Sequence, residues 1–181
     1  MIVIMSDLIG YLAPLLIKRL DAAAGTTLFH QGDEVQHLFV VRSGCVQLVR
    51  FSESGTAAVM QRALEGALLA ESSIFSPIYH CEGVVVSDAV LDRADMATVR
   101  SALREDPDLL EQLTRHLARE VQRTRSRVEI LTRKTVAMRL DGWLALNDGT
   151  LPERGMWRAV ADDIDVSPEA FYRELKRRRC A

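Results

Sequence analysis

Between Gly25 and about Val90 the apolar positions fall in short runs, "TTLF", "HLFVV", "CVQLVRF" and "AAVMQRAL", divided by "HQGDE", "RSG", "SESG" and "EGA". Short apolar runs bounded by glycine-containing turns predict strands, and Gly32, Gly44, Gly55 and Gly66 recur about every 11 residues, the beat of a small antiparallel sandwich or barrel. After Pro107 the period changes. Leu110, Leu113, Leu117, Val121, Thr124, Val128, Leu131, Thr135 and Met138 follow one another at steps of three or four, which predicts a long amphipathic helix with a near-heptad seam. Its other faces carry Arg115, Arg119, Arg123, Arg125 and Arg127. The seam requires a cover. A helix of about thirty residues is long for packing on its own β-domain in so small a protein, so a two-helix dimer is the preferred cover.

A second helix over about 134–147 is closed by "NDGTLPERG", whose Asn-Asp-Gly and Pro-Glu-Arg-Gly segments read as turns. In "MWRAVADDIDVSPEAFYRELKRRR" the residues Met156, Val160 and Ile164 lie on one helical face and "DVS" forms a tight turn. Ser167 then caps a further helix with Pro168 at its first position, and Ala170, Phe171 and Leu175 face inward. Two short helices joined by such a turn make a helix-turn-helix.

Composition adds bounds rather than chemistry. With 48% hydrophobic and 27% charged residues, the 181-residue chain is mixed as folded globular proteins are, and it has room for a medium domain plus a smaller one. The formal charge of -2 hides an uneven distribution: from Ser167 onward five basic residues face two acids, so a polyanion is a candidate partner for that end. Cys45, Cys81 and Cys180 are odd in number and widely spaced, which argues against a disulfide framework or zinc knuckle and fits a reducing cytoplasm. The apolar opening "MIVIMSDLIGYLAPLLIKRL" is interrupted by Asp7 and followed, not preceded, by Lys18 and Arg19. That order fits neither a signal peptide nor a membrane span, and a short helix packed on a domain is expected.

In a helix-turn-helix the second helix enters the major groove and residues near its N-terminus meet base edges. Glu169 and Arg173 share one outward face beside Ser167, Pro168 and Tyr172. Arg173 could fork onto guanine O6 and N7 while Glu169 accepts from a cytosine amino group or orients the arginine. Lys176 and the run Arg177 to Arg179 would serve phosphates. The plain alternative is a surface ion pair worth a few tenths of a kcal/mol, and the dimerising helix upstream tips the balance toward DNA.

The order of glycine-punctuated β-domain, long helix and helix-turn-helix resembles the cAMP receptor protein/FNR (Crp/Fnr) family of bacterial transcription regulators. The resemblance spans nearly the whole chain and is carried by "AGTTLFHQGDEVQHLFVVRSGCVQLV" and "DIDVSPEAFYREL". It implies an α+β protein: an N-terminal cyclic-nucleotide-binding-like β-roll over 1–105, a dimerisation helix over 106–136 and a helix-turn-helix over 137–181. Its cyclic-nucleotide-binding members carry a Gly-Glu pair and, after a short loop, an Arg-Ser or Arg-Thr pair that cradles the phosphate. Here "LLAESSIFSPIYHCEG" occupies that stretch: Ala70 stands for the glycine, Glu71 keeps its place, Ser72 follows, His80 replaces the arginine and Cys81 the hydroxyl residue. Imidazole is mostly neutral at cytoplasmic pH and lacks the guanidinium fork, so cAMP is not the expected effector. Thr124 matches the dimer-helix position that touches the base, although Arg125 follows where a small hydroxyl residue would be expected.

His80 and Cys81 admit several readings. Adjacent residues of a strand point to opposite faces, which disfavours a shared metal and a Cys-His nucleophile; FNR-type cluster ligation needs closely spaced cysteines near the N-terminus. A redox thiol would need a lowered pKa and access. The plain reading makes Cys81 a small buried hydrophobe and His80 an edge residue, with a retained but retuned pocket as the next. His30, His37 and His116 are read as solvated, and Trp143 and Trp157 as packing anchors.

The resulting expectation is a cytoplasmic, non-enzymatic regulator with no metal site, its cofactor unassigned. It binds double-stranded DNA as a homodimer through the helix around 107–135, answers to an unidentified small-molecule effector, and has RNA polymerase as a further partner. The sequence stops at "RRRCA" directly after the recognition helix with no obvious wing, so weaker or partner-assisted DNA binding is expected. The alternative is a ligand sensor or protein-interaction module that no longer reads DNA.

Overall fold

The computed structural model describes residues 7–52, 55 and 57–179; residues 1–6 of the apolar opening and Cys180 lie outside the described residues. Two compact units divide the chain, one ending at Leu117 and the other running from Ala118 onward.

The first unit begins with α1 (Asp7–Leu12), whose Leu8, Ile9 and Leu12 are buried in the β-domain core. This is the short packed helix its apolar positions predict. The strands β1 (Lys18–Ala22), β2 (Thr27–Phe29), β3 (His37–Phe51), β4 (Ala57–Ala63), β5 (Leu68–Leu69) and β6 (Glu82–Asp95) form one antiparallel sheet. Its order is β1-β6-β3-β4, with β2 on β6 and β5 on β3. The spine is the β3–β6 pair, in register from His37 opposite Asp95 to Val49 opposite Glu82.

In one respect the strand expectation is corrected. "HLFVV" and "CVQLVRF" are not two strands parted by a turn at "RSG"; they are one 15-residue strand, β3. Its register shifts between Val41 and Val46. The glycine that signals a turn, Gly44, has φ +83° and serves a bulge instead. A Cβ there would lie 2.7 Å from Ala89 Cα and closer still to the Asp88 carbonyl oxygen, so the β6 backbone leaves room only for hydrogen. Bulging lets the strand bend around its own core, where Leu38, Val40, Val46 and Leu91 are almost fully enclosed.

After β6 comes α2 (Met96–Glu105), which the sequence pattern does not announce; the Asp95 carboxylate caps it by accepting from the Thr98 N–H at 3.0 Å. The long helix is α3 (Pro107–Thr132). Its seam is split in use. Leu109 and Leu113 are buried in the β-domain core with Leu117 packed against it, whereas Leu110, Val121 and Val128 are 42%, 48% and 56% exposed.

The second unit holds α4 (Val136–Leu146), α5 (Trp157–Asp163) and α6 (Pro168–Arg179). Helix α4 starts two residues later than expected because Thr135 is its N-cap, accepting from the Met138 N–H at 3.2 Å. Ile130, Leu140, Trp157, Val160, Ile164, Phe171 and Leu175 form its core. Of the residues expected on the inner face of α5 and its flanks, Val160 and Ile164 are buried, but Met156 precedes the helix in a 3-10 turn and is exposed.

Candidate functional site

Two places collect the residues singled out by sequence. The first is the loop between β5 and β6. Ala70 has φ 71°, a left-handed conformation that L side chains seldom adopt. Glycine, which the resembling motif has there, takes that conformation without strain. The following 3-10 turn, Glu71–Ser73, buries Glu71 and Ser73 and leaves Ser72 exposed. The Ser73 hydroxyl lies 3.1 Å from His80 Nδ1, so the imidazole is tied back to its own loop. His80 is exposed, whereas Cys81 is buried. Both sit in the bend before β6 and not in a strand, yet their side chains still diverge.

Burial pushes the Cys81 thiol up, the Glu71 charge pushes the same way, and Arg50 opposes both. A raised, buried thiol is the reverse of what nucleophilic or redox-sensing cysteines need. The loop is stapled from two sides. Arg100 of α2 donates to the carbonyls of Ile74 at 2.5 Å and Ser76 at 2.9 Å. The Tyr79 ring stacks on Phe29 at 4.0 Å between centroids, and its hydroxyl accepts from the His37 N–H and donates to the His37 carbonyl at 3.0 and 2.9 Å. Ser73, Tyr79 and Arg100 were not legible as site residues, since each acts through atoms that only folding brings near. Thr124 belongs to the second unit and is exposed on α3.

The second place is α5–turn–α6. Asp165 takes φ 52° in the turn, a left-handed conformation that Asp tolerates better than most residues. Arg139 of α4 closes the turn: its Nη1 donates to the carbonyls of Ile164 and Asp165 at 3.1 and 2.9 Å, and its Nε to the Arg133 carbonyl at 2.9 Å. Those carbonyls end α5, so a cation there also meets the negative end of the helix. Ser167 caps α6, accepting from the Ala170 N–H at 3.2 Å, and Pro168 is the first helical residue. The cap contributes about 1 kcal/mol.

With Phe171 and Leu175 buried, Glu169, Tyr172, Arg173 and Lys176 are left exposed on α6. Hydrogen bonds from its own backbone N–H and from Ser167 hold the Glu169 carboxyl below its usual range, with smaller contributions from Arg158 and Arg173. The basic run is less uniform than its composition. Arg177 grips Glu174 through Nε and Nη2, both at 2.8 Å. Arg178 turns inward to Glu174 at 2.7 Å, Asp141 at 2.7 Å and the Ala137 carbonyl at 2.9 Å, tying α6 to α4. Arg179 and Arg154 both lie over the Trp157 ring, at 5.7 and 5.4 Å from its centroid. Lys176 and Arg173 are therefore the cleanest outward cations of the helix. Glu174 and Arg139, which set its orientation, carry no sequence signal beyond charge.

The family model of the cyclic nucleotide-binding domain matches residues 19–106. The fumarate and nitrate reduction regulatory protein of Escherichia coli is 23% identical over 131 residues, covering 72% of this chain and 52% of the relative. The global nitrogen regulator of a Nostoc species is 27% identical over 131 residues, 66% of this chain and 55% of that protein. The chain is thus similar to regulators of the Crp/Fnr type and carries a match to the cyclic nucleotide-binding domain. Its fold is also that of FixK2 from Bradyrhizobium japonicum, with a TM-score of 0.73 over 88% of this chain and 83% of the other at 17% identity. The chain spans about half the length of the curated Crp/Fnr relatives it matches. These homologues are transcription regulators, not enzymes. Among the described residues, no helix is long and apolar enough to cross a membrane.

Proposed function

We propose that this protein is a homodimeric, sequence-specific DNA-binding transcription regulator of the cytoplasm, governed by an effector other than cAMP. The observation that carries the reading is the α5–turn–α6 unit, clamped by Arg139, with Glu169, Tyr172, Arg173 and Lys176 outward on the capped helix. Exposed apolar Val121 and Val128 on α3 support a helix-to-helix dimer, which would place two reading helices on a two-fold site. In this reading Arg173 reads a guanine, Ser167 and Lys176 hold phosphates, and Arg177 joins them while keeping its grip on Glu174.

Selection from random duplex DNA by the intact protein, followed by sequencing, should enrich a palindrome. Arg173→Ala should cost about 1–3 kcal/mol at one base-pair position and erase the preference there. Lys176→Gln should weaken binding to every sequence alike and lower the salt slope by about 1. Failure to enrich any sequence at low salt would overturn the reading.

The effector claim rests on His80 being tied to Ser73 in the place where a phosphate-binding arginine would stand. Calorimetric titration with cAMP should produce no binding heat, and micromolar affinity would show that the loop holds a cyclic phosphate without the guanidinium.

A further inference from the structure

We infer a second small-molecule site, in the C-terminal unit, that takes an amphipathic anion with a flat apolar body. Helices α3, α4 and α5 line an open cleft of about 510 Å³, within the ~300–1,000 Å³ typical of ligand pockets. Its apolar wall is Ile130, Trp143 and Leu146, and its lining includes Arg119, Arg123 and Arg127. These arginines recur at steps of four, so α3 presents them as one cationic stripe beside that wall.

Charge selects the class of occupant. Arg123 has an exposed partner in Glu120, a pair of little worth in water. Arg127 is turned to the backbone, donating to the Asp163 carbonyl at 3.4 Å. The Asp163 carboxylate accepts from the Trp143 indole N–H at 3.3 Å. Among the described residues Arg119 enters no hydrogen bond or ion pair, so its guanidinium stands ready for an added anion. Arginines on a helix surface are ordinarily just solvated; here an apolar wall adjoins them, and water solvates that wall poorly.

Dimerisation would leave the cavity open. At about 100° per residue, Arg119, Arg123 and Ile130 lie on the side of α3 opposite Val121 and Val128. Every lining residue belongs to the C-terminal unit and none to α6, so the site is separate from the β5–β6 loop and from the outward face of α6.

The test is calorimetric titration of the full chain, without DNA, with naphthalene sulfonate and with neutral naphthalene methanol. The sulfonate should bind more tightly. Arg119→Gln with Arg123→Gln should weaken it about tenfold, as expected for losing a charge-assisted contact, and leave the alcohol unchanged. Ser126→Trp, which fills the cavity, should abolish both. Hydrogen exchange should show sulfonate protection confined to segments around 119–130 and 143–147, a readout that stands if the tryptophan variant does not fold. Absent sulfonate heat, equal affinities for the two probes, indifference to the arginine change, or protection mapping to the β-domain would each overturn the inference. So would a change of oligomeric mass in Ser126→Trp without sulfonate binding, which would assign the cavity to a second copy.

Discussion

Replacing Gly44 with alanine should unfold the β-domain or lower its stability by more than about 3 kcal/mol. Two costs combine. A residue with a Cβ is strained at φ +83°, and that Cβ would press on the backbone of Asp88 and Ala89, which cannot move away without breaking the β3–β6 spine. Chemical denaturation followed by circular dichroism measures the loss. Gly25→Ala is the control: φ is +86° there too, but nothing lies within 4 Å of the added Cβ, so only the conformational strain of about 1 kcal/mol should appear. Equal costs at the two positions would refute the close-approach argument.

The second large effect is expected at Glu174. Removing its carboxylate in Glu174→Ala takes away three charge-assisted hydrogen bonds and leaves Arg178, with its side chain only 28% exposed, to Asp141 and the Ala137 carbonyl. The C-terminal unit should lose about 1.5–3 kcal/mol, the range for hydrogen bonds to a charged group, because Arg178 keeps its other two partners and Arg177 is left in water. The same carboxylate sets an acid limit. Hydrogen bonds from Arg177 and Arg178 hold it at about 2, against an ordinary value of 4.5. With the folded value depressed, the unfolded chain binds the proton more readily. The stabilisation is thus complete above about 4.5 and is lost as pH falls toward about 2. Thermal unfolding from pH 6 to 2 should show this slope in the natural protein and a shallower one in Glu174→Ala. Because Arg178 joins α6 to α4, the variant should also bind DNA less well at neutral pH, with Arg173 untouched.

Much of this architecture is legible in the sequence because it depends on local periodicity. The long helix and the Ser167-Pro168 start of α6 follow from patterns within a few residues. What the sequence conceals depends on residues far apart in the chain. Gly44 reads as a turn until β6 is known to pass against it. The basic run after Leu175 reads as uniform until Glu174 is seen to hold Arg177 and Arg178, and Arg139 reads as a surface charge until the turn it clamps comes within reach. His80 and Cys81 stand out in the sequence as a pair, but the bond that holds His80, to Ser73, requires the 3-10 turn after Ala70.

Both tryptophans, Trp143 and Trp157, lie in the C-terminal unit, Trp157 beneath the guanidinium groups of Arg154 and Arg179, while the β-domain has none. The protein therefore carries a built-in optical label on one unit alone. Tryptophan emission follows the melting of α4 and α5, far-ultraviolet dichroism follows the whole chain, and the gap between the two curves measures how independently the units unfold.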